Sequence, residues 1–395
     1  MRALVIGSMN CMPTEYAVLL KKYYDEVIHY YDGRESDSLS NPLIRWGVKS
    51  KERLKGVVVR RVVFSHYLFF IFPKIFHLNL VWQLCQADLI LLSGPSISLA
   101  RLVKVAGGKK VIALSYGSDL SLFCNPQWPG MTGRETSALK GRIVPCLGSL
   151  KKLFLKLQTA GLKSCSHYSY FVEGIDPPTD ALLSQILAGA ARPARLPRYS
   201  ISLDILDDLA GPDPVPHLKD VYKILFPVRF CEDELLGNKG WRLLFDGLQK
   251  YRPMSKRAFR CICFRKGDHV EAVAYAKMLG IDDLIEWADV VPFDRLKQYY
   301  RSADVVVEQL GSHWIAQGLF VMVLGKPVIG RVATAKQAEF FRGSGLLEVS
   351  DVDSIVVQLM SCESAEYREA AGTLGRSFVP AKASIESEFL RWAVL

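Results

Sequence analysis

A chain of 395 residues is too long for one ordinary domain and suits two of roughly 150–200 residues each. Half of its residues are hydrophobic and 23% are charged, a balance that excludes a disordered or low-complexity chain. A formal charge of +10 admits nucleic acid, an anionic membrane surface or a phosphorylated ligand as partner. No RNA-recognition motif, helix-turn-helix or zinc-finger spacing supports the first, so no nucleic acid is expected.

Met1-Arg2 leads straight into an apolar run at 3–6, which reads as a strand with no secretory signal before it. Gly7-Ser8-Met9-Asn10 reads as a turn. Thr14 is the expected N-cap of a helix reaching about residue 23, with Glu15 in its first turn. A second strand is expected over 26–30. The most lipid-like stretch follows at 62–84, but Ser65, His66, Pro73, Lys74, His77 and Asn79 interrupt it. It falls short of the ~20 apolar residues that a spanning helix needs. Strands are then predicted at 88–92, 110–114 and 168–172, with helices at 96–105 and 179–190. Between them lies a basic segment, 140–163, in which Lys151, Lys152, Lys156 and Lys163 flank Leu150, Leu153, Phe154, Leu155 and Leu157. Cations beside an apolar stripe are what an interfacial helix presents to anionic lipid. The same pattern also describes a helix that packs its leucines on a sheet and leaves its lysines in water.

Gly211-Pro212-Asp213-Pro214-Val215-Pro216 is the one dense Pro/Gly stretch, and strand-helix alternation restarts after it. It is read as a linker over 211–219 between domains at 1–210 and 220–378, with a final helix over 379–395 returning to the first domain. In the second half, strands are predicted at 223–227, 260–264, 284–287, 304–308 and 327–330. Helices are predicted at 240–250, 270–279, 293–301 and 315–324. Alternation of this kind implies parallel sheets covered on both faces, hence an α/β class with two doubly wound domains. Nine scattered cysteines form no framework, so reduced thiols are expected. Cys261 and Cys263, read as pointing to opposite faces of a strand, suit core packing better than chelation.

Residues 299–332, YYRSADVVVEQLGSHWIAQGLFVMVLGKPVIGRV, form a strand-loop-helix-strand unit, which places ligands at strand carboxyl ends and helix N-termini. The order of residues resembles the C-terminal half of GT-B glycosyltransferases, particularly the retaining family 4. That resemblance implies two Rossmann-like domains facing a cleft, a nucleotide-sugar donor as substrate, and neither cofactor nor metal. The family's ribose-binding glutamate is absent: Phe320-Val321-Met322-Val323 stands in its place.

The resemblance also implies a site. Arg229, at the end of Phe226-Pro227-Val228-Arg229, and Lys239-Gly240 match the cations that hold the donor diphosphate, although Glu232, Asp233 and Glu234 lie in the loop between them. Such cations would meet the charge that grows on a departing diphosphate. Glu308, Gly311, Ser312 and His313 fall in the loop that approaches the nucleotide, and Gln317 is read as a donor contact that replaces some of those lost with the family's glutamate. The Gly325-Lys326-Pro327 turn is expected beside them. In the first half, Ser115-Tyr116-Gly117-Ser118-Asp119 is similar to the family's cleft-facing element. Asp119 is the candidate catalytic residue, orienting a sugar or acceptor hydroxyl; a plainer reading makes it the cap of the next turn. Tyr116, Gly117 and Ser118 join Gly7, Ser8 and Asn10 as the acceptor-side rim. The expected activity is transfer of a sugar to a glycan or lipid-linked acceptor in bacterial surface polysaccharide assembly. The expected location is cytoplasmic, peripheral on the inner membrane face. A catalytically silent glycosyltransferase-like binding or scaffolding subunit is the alternative.

Overall fold

The computed structural model describes residues 1–7, 12–32, 54–62, 70–103, 110–115, 144–188, 193–198, 201, 203, 212–231, 238–311 and 315–393. The chain divides into two compact units, Met1–Arg198 and Tyr199–Leu395.

The first unit holds seven strands: β1 Arg2–Ile6, β2 Glu26–Asp32, β3 Val58–Val62, β4 Leu89–Ser93, β5 Lys110–Leu114, β6 His167–Tyr170 and β7 Ala194–Pro197. All pairings are parallel, in the order β3-β2-β1-β4-β5-β6-β7. The described helices are α1 Met12–Leu20, α2 Pro73–Phe76, α3 Leu78–Gln86, α4 Ala100–Val103, α5 Val144–Ser164 and α6 Pro177–Ile186. β4 is buried at every position, as a strand covered on both faces must be, and so reads as the unbroken run LILLS. After it comes a 3₁₀ turn, Gly94–Leu99. α5 is pressed onto this turn: a Cβ on Gly161 would stand 2.2 Å from the Ile97 carbonyl oxygen. Buried Gln158 ties the two together, donating to the Gly94 carbonyl at 2.8 Å and accepting from the Ser98 N–H at 3.0 Å.

The second unit holds β8 Tyr222–Phe226, β9 Phe259–Phe264, β10 Ile285–Ala288, β11 Val305–Val307, β12 Val328–Gly330 and β13 Leu346–Glu348, again all parallel, in the order β10-β9-β8-β11-β12-β13. Its helices are α7 Trp241–Tyr251, α8 His269–Met278, α9 Phe293–Ser302, α10 Ala316–Val323, α11 Ala335–Phe341, α12 Val352–Ser361, α13 Ala365–Lys382 and α14 Ile385–Ala393. The core beneath α7 is aromatic. Phe230 meets Trp241 edge-on at 5.6 Å between ring centroids and Phe245 at 6.0 Å, an arrangement that ring quadrupoles favour.

In each sheet the strand order reverses at one place, between β1 and β4 and between β8 and β11. At such a point the loops leaving the carboxyl ends diverge to opposite faces and open a crevice.

Three sequence expectations need correction. Thr14 lies inside α1 rather than capping it; it is buried, with its hydroxyl 3.4 Å from Nδ1 of His29. The segment expected as one helix from 96 is the 3₁₀ turn followed by the short α4. Cys261 and Cys263 share a face, because residues two apart in a strand point the same way, and their sulfurs lie 3.8 Å apart.

Candidate functional site

The crevice of the second sheet is built by three chain segments that leave neighbouring strand ends. Beyond β8, Val228 and Phe230 are buried while Arg229 between them is exposed. Phe230 is locked in place: its N–H donates to Lys266 at 3.0 Å and its carbonyl accepts from the Asp268 N–H at 3.0 Å. Gly267, at φ +75°, makes this possible, since a Cβ there would lie 2.2 Å from the Phe230 oxygen and 3.0 Å from Cγ of Arg229. Sequence reasoning missed Gly267; a glycine directly before the Asp that opens α8 was the available signal.

Lys239 is held on three sides. Its N–H donates to the Cys231 carbonyl at 3.0 Å, and its carbonyl accepts from Leu310 at 2.9 Å. Its ammonium donates to Oε1 of Gln309 at 2.7 Å. Next to it, Gly240 takes the left-handed conformation, φ +66° and ψ 27°, and caps α7. The Asn238–Gly240 backbone lies directly on the Leu310–Gly311 backbone. A Cβ on Gly240 would come within 2.6 Å of the Leu310 carbonyl carbon, and one on Gly311 within 1.8 Å of the Asn238 oxygen. Glycine is needed at both positions for the loops after β8 and β11 to touch.

Beneath these loops, at the end of β11, Glu308 is buried. Its carboxylate accepts from the Gln309 N–H at 2.8 Å and from the Gln317 N–H in the first turn of α10. Burial pushes its pKa up to about 7, against these two hydrogen bonds and the nearby Lys239. Burial also lowers the pKa of Lys239; Glu308 opposes that effect and Arg229 adds to it. One acid and two cations are thus electrostatically coupled at the switch point. The N-terminus of α7 starts at the same place and adds its dipole.

Of the sequence-derived candidates, Arg229, Lys239, Gly240, Glu308 and Gly311 therefore converge. Gln317 joins through its backbone, while its side chain accepts from the buried Tyr300 hydroxyl at 3.5 Å. Phe320 packs edge-on against Phe293 of α9, 5.5 Å between centroids. The Gly325-Lys326-Pro327 turn does not belong here: it precedes β12, and the Lys326 ammonium donates at 2.9 Å to the carbonyl of Ala303, which precedes β11. It lies at the opposite, amino edge of the sheet. Ser312 and His313 lie outside the described residues, as do Ser8, Asn10, Tyr116, Gly117, Ser118 and Asp119.

Gly7 does stand at the switch point of the first sheet. Its φ is +140°, and a Cβ would come within 2.7 Å of the Ser93 Cβ, so only glycine brings the ends of β1 and β4 this close. Its carbonyl accepts from Nε2 of fully buried His29 at 2.9 Å.

The chain is similar over its whole length to several solved structures. Anabaena HepE in complex with UDP matches with a TM-score of 0.64 and 12% identity, covering 100% of this chain and 99% of that one. Sucrose-phosphate synthase from Thermosynechococcus elongatus matches at 0.60 and 13%, with coverage of 100% and 98%. WaaG, a glycosyltransferase involved in lipopolysaccharide biosynthesis, matches at 0.56 and 10%, with coverage of 100% and 98%. These neighbours are GT-B glycosyltransferases, and the two parallel α/β sheets described above are the GT-B fold. No protein-family model matches the sequence, and no curated protein sequence matches it.

Proposed function

We propose that this protein is a glycosyltransferase that moves a sugar from a nucleotide diphosphate donor to a glycan or lipid-linked acceptor. The observation that carries the proposal is the convergence of Arg229, Lys239 and the α7 N-terminus at the switch point of the second sheet. A leaving nucleoside diphosphate gains negative charge as the glycosidic bond breaks. Cations and backbone N–H groups fixed in advance at that place lower the barrier without reorganising. Arg229 and Lys239 are given the diphosphate. Glu308 is given a positioning role, since its oxygens are engaged by the Gln309 and Gln317 N–H groups and hold the loop that carries Gln309, the partner of Lys239. Asp119 is proposed to orient the acceptor or sugar hydroxyl, with Gly7, Ser8, Asn10, Tyr116, Gly117 and Ser118 around it. Retention of configuration, independence from metal and a place in surface polysaccharide assembly follow from the family resemblance. HepE has been solved with UDP-glucose, which makes uridine donors the first to try, and the part of WaaG in lipopolysaccharide biosynthesis supports a surface-glycan acceptor.

The test is nucleotide-sugar affinity in the intact chain. Hydrogen bonds to charged groups contribute roughly 1.5–3 kcal/mol, so Arg229→Ala and Lys239→Ala should each weaken donor binding about 10–150-fold while leaving the fold unchanged. Equal affinity in wild type and both variants would place the donor elsewhere.

One observation favours a second reading. Phe320 occupies the place of the family's ribose-binding glutamate, and its ring is committed to Phe293. A silent binding subunit would bind nucleotide sugar or glycan with no turnover. Release of free nucleotide from a bound donor separates the two readings.

A further inference from the structure

The face formed by α2 and α3 shares no residue with the donor crevice described above. α3 buries Leu80 and Leu84 on one side and turns Leu78 and Trp82 outward on the other, 71% and 62% exposed. Ile75 of α2 is 77% exposed, and Phe72 is exposed just before it. Leu78 and Trp82, four residues apart, share one side of α3, while Ile75 lies on α2, before the non-helical His77 (φ −149°, ψ 66°) that separates the two helices. Four large apolar side chains presented together to water mark a contact surface rather than scattered exposure.

The chain just before this ridge is held by Arg101 and by the lysine-bearing α5. Arg101 donates to the carbonyls of Phe70 and Ile71 at 3.0 and 3.3 Å, and the Phe70 ring meets that of Phe154 on α5 at 6.0 Å. The start of the ridge is thereby fixed against α5. That helix buries Phe154, Gln158 and Leu162 and exposes Lys152, Leu153 and Lys156 on its outer side. No Asp or Glu occurs in the sequence between Glu52 and Asp88, or between Glu135 and Glu173. Both elements come from these acid-free stretches. None of the helices of at least 18 described residues is apolar enough to cross a membrane.

We propose that this surface docks the first unit onto an anionic lipid bilayer, with Ile75, Leu78 and Trp82 entering the headgroup layer and Lys152 and Lys156 meeting lipid phosphates. Charge complementarity selects this occupant. Apolar side chains and lysines drawn from two acid-free stretches of the sequence suit a surface that is anionic outside and apolar within. Tryptophan is favoured at that depth because its ring is amphipathic. Docking does not depend on the donor reading, because the ridge shares no residue with the donor crevice.

The full chain is sedimented with vesicles of phosphatidylcholine containing phosphatidylglycerol and with vesicles of phosphatidylcholine alone. Binding to the anionic vesicles is expected at low salt and should fall as salt rises. Lys152→Ala combined with Lys156→Ala should weaken it roughly 30-fold, from the attraction each surface cation contributes. Ile75→Ser, Leu78→Ser and Trp82→Ser together should abolish it. A blue shift of tryptophan emission on binding should vanish in Trp82→Phe. All these side chains are exposed, so unchanged thermal unfolding of the variants is the folding control. Absence of binding at low salt, or equal binding by wild type and both multiple variants, would overturn the proposal. So would variants whose only effect is to abolish concentration-dependent self-association, which would assign the ridge to a second copy of the chain.

Discussion

At Glu308 a carboxyl group without access to water keeps its proton until about pH 7, well above the ordinary carboxylate range, because burial outweighs Lys239 and two N–H donors. The folded state therefore binds this proton more tightly than the unfolded chain does. Its contribution to stability is full below about pH 4.5 and is lost as pH rises through about 7. His29 works in the opposite sense. Burial lowers its pKa to about 4, against the pull of the Gly7 carbonyl, so its contribution is present above about pH 6.5 and is lost as pH falls towards 4. At about 1.4 kcal/mol for each pH unit between folded and unfolded values, either effect is on the order of 3 kcal/mol. Hydrogen exchange at pH 4.5 and 7.5, corrected for intrinsic rates, should show β1 and β2 less protected in acid and β11 more protected. Glu308→Gln should remove the change at β11 alone. Identical pH trends in both sheets of the wild type would contradict these assignments.

The elements that could be read from sequence are those whose burial leaves a signature. β1, β4, β5, β8, β9 and β11 each carry an unbroken apolar run of three or more residues because they are covered on both faces, and their predicted limits fall within a residue or two of those observed. β3 and β7 were missed because they are the edges of the first sheet and carry Arg60, Arg61 and Arg195 where a central strand would carry aliphatic residues. β13, an edge strand of three residues, is too short to show a pattern. In the site, Arg229, Lys239 and Glu308 were legible as charges placed just past strand ends. The pairing of Lys239 with Gln309 was not, since the two lie far apart in sequence and meet only through the β8–β11 pairing. Nor was the reason for Gly311, which is the Asn238 carbonyl against it. Gly311→Ala should force the two loops apart, cost about 1–3 kcal/mol of stability by overpacking, and weaken donor binding more than stability alone explains. Thermal unfolding followed by donor titration checks both effects. Wild-type donor affinity in this variant would show that the contact between the loops does not shape the site.

For the whole molecule, the GT-B fold is established by two parallel sheets and by full-length structural likeness at 10–13% identity, a level at which likeness speaks for fold and not for chemistry. Function must therefore be argued from the crevice between β8 and β11, where a coupled acid and two cations stand beside a helix N-terminus. The most direct measurement is calorimetric titration of the intact chain with UDP, GDP, CMP and ADP and with their sugars. Saturable binding of one nucleotide family is expected, weakened by Lys239→Ala and accompanied by slow release of free nucleotide from the matching sugar donor. No saturable binding of any nucleotide or nucleotide sugar would contradict the assignment of this crevice as a donor site.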